Sequence, residues 1–115
     1  MRIGEVGLLT SDVIRLSDFY KSILEIDNDC NDDTIQFIIA EDTRLTIYND
    51  GLERKANHQN ICLAFTVDDV DIEYERLKTL GVNIIEPPII RPWGAKNIIF
   101  NDPEGNQVIF RSIPK

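Results

Sequence analysis

The sequence predicts an α+β fold made of two copies of one strand–helix–three-strand (βαβββ) module. Three observations predict it. Residues 5–13 (Glu-Val-Gly-Leu-Leu-Thr-Ser-Asp-Val) and 62–70 (Cys-Leu-Ala-Phe-Thr-Val-Asp-Asp-Val) are each an apolar stretch that runs into an acidic turn, about half a chain apart. Behind each, apolar residues recur at helical spacing in the same register, Tyr20 answering Leu77 and Ile23 answering Leu80. Between the copies lies a polar, glycine-bearing stretch, 51–59, with the composition of a linker. The chain therefore reads as a single domain, 1–115, with modules 1–50 and 60–115. Its 115 residues leave room for only one substantial core. A module of this size buries little alone, so side-by-side packing of the two sheets, or exchange of modules between two chains, must complete it.

The elements follow in order. Ile3 to Thr10 reads as a strand and Asp12 as the cap of the helix that follows. Ile14, Leu16, Phe19, Tyr20 and Ile23 form that helix's apolar stripe. The polar run 27–33 breaks the pattern, with room for a weak strand between Glu25 and Cys30. Ile35 to Ala40 and Arg44 to Asn49 are strands joined by a turn at Glu41 to Thr43. In the second module Asn60 to Val67 is a strand, and Asp68 or Asp69 caps a helix whose stripe is Val70, Tyr74, Leu77 and Leu80. Gly81 stops it. Val82 to Ile85 is a strand that Pro87-Pro88 should break. Asn97 to Asn101 and Gln107 to Ser112 form a hairpin. In its turn, Asp102-Pro103-Glu104-Gly105, proline fixes one φ and glycine supplies a positive one.

Composition narrows the function. Twelve Lys and Arg stand against twenty Asp and Glu, a formal charge of −8. Such a chain repels phosphate backbones and anionic lipid, which argues against nucleic acid and membranes as partners. It has no apolar run long enough to span a bilayer, and its first residues lack the apolar core of a signal peptide. Cys30 sits in a polar run and Cys62 opens a strand, without CxxC or Cys/His spacing. Reduced thiols in a cytoplasmic protein fit this best. There is no Gly-rich phosphate loop, no EF-hand spacing and no Ser–His–Asp set, because the only histidine, His58, lies in the linker.

The paired modules, Phe19-Tyr20 on the first helix, Val67-Asp68-Asp69-Val70 at the second, and above all Trp93-Gly94 followed by Asp102-Pro103-Glu104-Gly105-Asn106, resemble the vicinal oxygen chelate superfamily. That group holds glyoxalase I, bleomycin-resistance proteins, fosfomycin-resistance enzymes and extradiol dioxygenases. The resemblance runs from Ile3 to Ile113. It implies a curved mixed sheet from two modules, forming a concave cleft for a small molecule, commonly in a homodimer. It implies no single reaction. In the metal-dependent members the ligands come from the first and last strands of each module. Carried over, those positions are Glu5, Thr46, Cys62 and Ile109. Only Glu5 is a good ligand for a hard divalent ion, so no metal or other cofactor is expected.

Alternation along the strands assigns the faces. Val6, Leu8, Leu45, Ile47, Leu63, Phe65, Val67, Val108 and Phe110 should pack under the helices. Glu5, Gly7, Leu9, Thr46, Tyr48, Cys62, Ala64, Thr66, Gln107, Ile109 and Arg111 should face the cleft. The candidate ligand-binding residues are Glu5, Tyr48, Cys62, Trp93 and Arg111; no catalytic residue is identifiable. Glu5 could hold a cation, or pair with Arg111 or Arg91. Cys62 is a small packed residue more readily than a nucleophile, since no base stands beside it. Trp93 offers a flat face for stacking, or covers the edge of the core near the cleft mouth. Tyr48 and Arg111 have the chemistry to orient a ligand, and Arg111 could grip a carboxylate.

The expected function is metal-free binding of a small organic molecule, as bleomycin-resistance members sequester a cationic drug. A metal-dependent lyase or dioxygenase of the same superfamily, and a regulatory or partner-binding domain with a vestigial cleft, are the alternatives.

Overall fold

A computed structural model describes residues 1, 3–53 and 61–113. His58, Asn60 and most of the expected linker lie outside them. The chain divides into two units, residues 1–56 and 57–115. The α+β class predicted above is what forms: a three-stranded sheet in the first unit and a four-stranded sheet in the second, each with one helix. Among the described residues no helix is long and apolar enough to cross a membrane.

In the first unit β1 (Val6–Leu9) leads into α1 (Val13–Leu24), then β2 (Ile35–Ala40) and β3 (Thr43–Tyr48). Asp12 caps the helix as expected, its carboxylate accepting from the Arg15 N–H at 3.1 Å. The helix buries Val13, Leu16, Ser17, Tyr20 and Ile23. Ile14 and Phe19, expected in the stripe, are only half-buried. The sheet order is β1-β3-β2, so β3 is central, parallel to β1 and antiparallel to β2. Leu8, Ile38, Leu45 and Ile47 are buried, as alternation requires.

This unit has one strand fewer than expected. Residues 25–30 form no strand because their backbone finds other partners. Asn28 Oδ1 accepts from the Cys30 N–H, and Asp32 Oδ1 accepts from the N–H groups of Thr34 and Ile35. Lys21 Nζ donates to the Cys30 carbonyl at 2.6 Å, and the buried Gln36 amide donates to the Asp32 carbonyl. Asn and Asp side chains compete in this way with a strand ladder.

In the second unit β4 (Cys62–Thr66) leads into α2 (Val70–Thr79), followed by β5 (Asn83–Ile90), β6 (Lys96–Asn101) and β7 (Gln107–Ser112). Asp69 is the cap, accepting from the N–H groups of Asp71 and Ile72. The helix buries Val70 and Leu77; Leu80 lies at the C-terminal cap and is exposed, ahead of Gly81 at φ 77°. The order β4-β7-β6-β5 puts β7 and β6 in the centre. Ile98, Phe100, Val108 and Phe110 are buried, with edge-to-face contacts of Phe110 to Phe65 and Phe100.

The Pro87-Pro88 pair does not end β5. The strand lies at the sheet edge, where a missing N–H removes no ladder bond, and the register with β6 shifts between Ile84 and Glu86 and again between Glu86 and Ile89. Proline and ladder irregularity coincide, as they must.

Candidate functional site

The faces that alternation leaves away from the helices carry the candidate residues. In the first sheet parallel pairing sets Gly7 beside Thr46 and Leu9 beside Tyr48, and the antiparallel pair sets Thr46 beside Phe37. Glu5, just before β1, reaches the same face. Its Oε2 accepts from Thr46 Oγ1 at 2.6 Å and from Arg44 Nε at 3.1 Å, with a second Arg44 nitrogen at 2.9 Å. The Arg44 guanidinium in turn lies 4.9 Å from the centre of the Phe37 ring. The expected partners of Glu5 were Arg111 and Arg91; its partners are Thr46 and Arg44, supplied by the central strand of its own module. Arg91 pairs with Glu86.

The Thr46 hydroxyl, followed by Arg44, holds the Glu5 carboxyl below its ordinary value of 4.5. A depressed carboxyl contributes stability above its unfolded value, and that contribution is lost as pH falls through the folded one. A carbon-detected titration of Glu5 should therefore show a midpoint below 4.5, and Thr46→Val should move it upward. An unchanged midpoint in the variant would remove Thr46 as the main cause.

Tyr48 lies at the far end of β3, two residues beyond Thr46 and about 13 Å along the strand from Arg44. Its ring is partly exposed. In the second sheet Cys62 pairs with Gln107, Ala64 with Ile109, and Thr66 with Arg111. On the other side of β7, Asn101 pairs with Gln107, Ile99 with Ile109, and Asn97 with Arg111. Cys62 is exposed and its Sγ accepts from Gln107 Nε2 at 3.7 Å. Arg111 stands about 13 Å from it along the sheet. Trp93 does not cover the core. It sits in the β5–β6 turn, which Gly94 closes at φ 98° with an N–H donated to the Arg91 carbonyl, and it is 71% exposed. At the base of the turn the Arg91 N–H donates to the Ala95 carbonyl at 2.8 Å.

These positions do not suit a divalent metal within either module. In the first, one oxygen of Glu5 is taken by a hydroxyl proton and a guanidinium, a cation already in place beside the carboxylate, and Thr46 is a poor ligand. In the second, Ile109 has no donor atom and Cys62 would have to lose its proton first. Among the described residues no three of His, Cys, Asp and Glu gather in one place.

Sequence reasoning missed Arg44, Phe37 and Asn97. The register signals them. Once β1 is paired parallel to β3, the residue before Val6 must lie beside the one before Leu45, which joins Glu5 to Arg44.

A βαββ unit and a βαβββ unit, each with its first strand parallel to its last, define a small α+β protein of two similar units. A match to the model of the Glyoxalase/Bleomycin resistance protein/Dioxygenase superfamily covers residues 2–110, and the chain belongs to that superfamily. It is 29% identical over 70 residues to the uncharacterized protein YetH of Bacillus subtilis strain 168, a match spanning 61% of this chain and 58% of that relative. Its fold is shared with a glyoxalase/bleomycin resistance protein/dioxygenase from Nocardioides (TM-score 0.82, 20% identity, 100% of this chain and 85% of the other). It is also shared with a lactoylglutathione lyase from Agrobacterium tumefaciens (TM-score 0.76, 19% identity, 96% and 92%).

Proposed function

We propose that this protein binds a small organic molecule on the helix-free faces of its sheets, with no metal at the positions that hold one in metal-dependent members of the superfamily. The observation that carries this reading is the state of Glu5. It is the one good ligand in the family positions, and Thr46 and Arg44 already engage its Oε2, with the guanidinium supplying the positive charge a metal would bring. On the first sheet Tyr48 and Thr46 share a face with Leu9 and Phe37. On the second Cys62, Gln107, Asn97 and Arg111 share one with Ala64, Ile99 and Ile109. Each is a mixture of polar and apolar groups of the kind small-molecule sites use. Trp93 offers an exposed ring in the β5–β6 turn. The free thiols of Cys30 and Cys62 support a reducing, cytoplasmic setting, and the family resemblance supports a homodimer.

Two measurements test this. Metal analysis of protein purified without chelator should find no stoichiometric divalent ion. One tightly bound ion per chain, lost in Glu5→Gln, would transfer the protein to the metal-dependent lyases or dioxygenases. Calorimetry and Trp93 fluorescence against cationic glycopeptides and planar aromatic compounds should find a binder. Silence across that panel and with small organic acids alike would leave a regulatory or partner-binding role, which a pull-down would then pursue.

A further inference from the structure

Arg111 is unlike the other described arginines. Arg15 pairs with Asp12, Arg44 with Glu5, Arg76 with Glu73 and Arg91 with Glu86. Arg111 has no ion pair among the described residues, in a chain with twenty carboxylates against twelve cationic side chains. It is half-buried, and its Nε is buried without a hydrogen-bond partner. Directly beside it in register stands Asn97, only 8% exposed, which can offer its Nδ2 amide as a second donor. Thr66 flanks it on the other strand. Buried donors are rarely left unused, and a desolvated guanidinium least of all. Glu86, the carboxylate on the adjoining edge strand, is held by Arg91.

The next row of the same face, about 7 Å along the strands, is apolar: Ala64, Ile109 and Ile99. We propose that Arg111, with Asn97 and Thr66, receives a carboxylate of the ligand, whose apolar body lies across Ala64, Ile109 and Ile99. This rests on the small-molecule reading above and names the ligand's class: an amphipathic organic acid, despite the chain's negative charge. The local guanidinium overrides the net charge because a paired, partly desolvated contact acts at hydrogen-bond distance, while the −8 is spread over a screened surface.

The probes are 4-phenylbutyrate, its amide and 4-phenylbutylamine, which share a body and differ in the head. Calorimetry should find the acid bound at least about tenfold tighter than the amide, and the amine weaker still. Arg111→Gln should bring the acid down to the amide's affinity, erasing the acid-over-amide ratio. Asn97→Asp, which supplies a carboxylate from within, should abolish the acid's advantage in the same way. The Nε–H resonance of Arg111 should move on titration with the acid and stay still with the amine. If Arg111→Gln fails to fold, Asn97→Asp and the resonance carry the test. Equal binding of acid and amine overturns the carboxylate assignment and leaves small-molecule binding standing. An acid preference that survives both substitutions overturns it too, as does the absence of binding by all three probes. Small-molecule binding itself falls only if the glycopeptide and aromatic panel is silent as well.

Discussion

Phe110→Ala is expected to destabilise the protein by about 3–5 kcal/mol. Phe110 is 1% exposed and lies on β7, between β4 and β6. Its ring makes edge-to-face contacts with Phe65 at 6.0 Å and Phe100 at 5.1 Å, so truncation opens a cavity and breaks both. Against a total stability of about 5–15 kcal/mol this is a large share. Thermal unfolding should shift down by at least about 12 °C. Ile109 is the control, because it neighbours Phe110 in sequence, points to the opposite face and is half-buried. Ile109→Ala should cost about 1 kcal/mol. A larger loss from Ile109 than from Phe110 would invert the assignment of faces, and with it the position of Arg111.

That assignment was readable from the sequence because strand alternation is a local rule. Val108 and Phe110 against Ile109 and Arg111 is a period-two pattern that no distant contact has to supply, and β2 and β7 form over the residues predicted. The caps Asp12 and Asp69 were readable for the same reason. What failed depends on neighbours. Pro87-Pro88 ends a central strand but not an edge strand, and a strand's place in its sheet is a non-local fact. The missing strand near 25–30 turns on Asn28, Asp32 and Lys21 satisfying backbone groups that a ladder would otherwise take.

The candidate site divides along the same line. Which residue types occupy the family's ligand positions could be read directly. Their state could not. Glu5 as a free carboxylate invites a cation, whereas Glu5 held by Thr46 and Arg44 does not, and only the parallel register of β1 with β3 brings those three together. Arg111 shows the converse. From its charge alone it could grip a carboxylate or neutralise Glu5; that it stands beside Asn97 and next to an apolar row takes two strand pairings to see.

Asp102→Ala is expected to cost about 2–4 kcal/mol, although Asp102 lies in a turn. The residue is 4% exposed, and its carboxylate organises the β6–β7 connection. Oδ1 accepts from the N–H groups of Glu104 at 2.8 Å and Asn106 at 2.9 Å, and Oδ2 accepts from Asn106 Nδ2 at 2.8 Å. Glu104 and Asn106 are buried as well, so water cannot take over the two backbone donors that alanine would orphan. Asp102→Asn keeps an oxygen for those donors and sets an amide nitrogen against Asn106 Nδ2, so about 1 kcal/mol is the expected loss. Denaturant unfolding of both variants measures the difference. A loss under about 0.5 kcal/mol in Asp102→Ala would show that Pro103 and Gly105 hold the turn by backbone preference alone. The consequence reaches the site because the turn sets the β6–β7 register from Asn101↔Gln107 to Asn97↔Arg111. A chain that loses the Asp102 carboxylate loosens the pairing that sets Asn97 beside Arg111, so carboxylate affinity should fall in Asp102→Ala even where the protein remains folded.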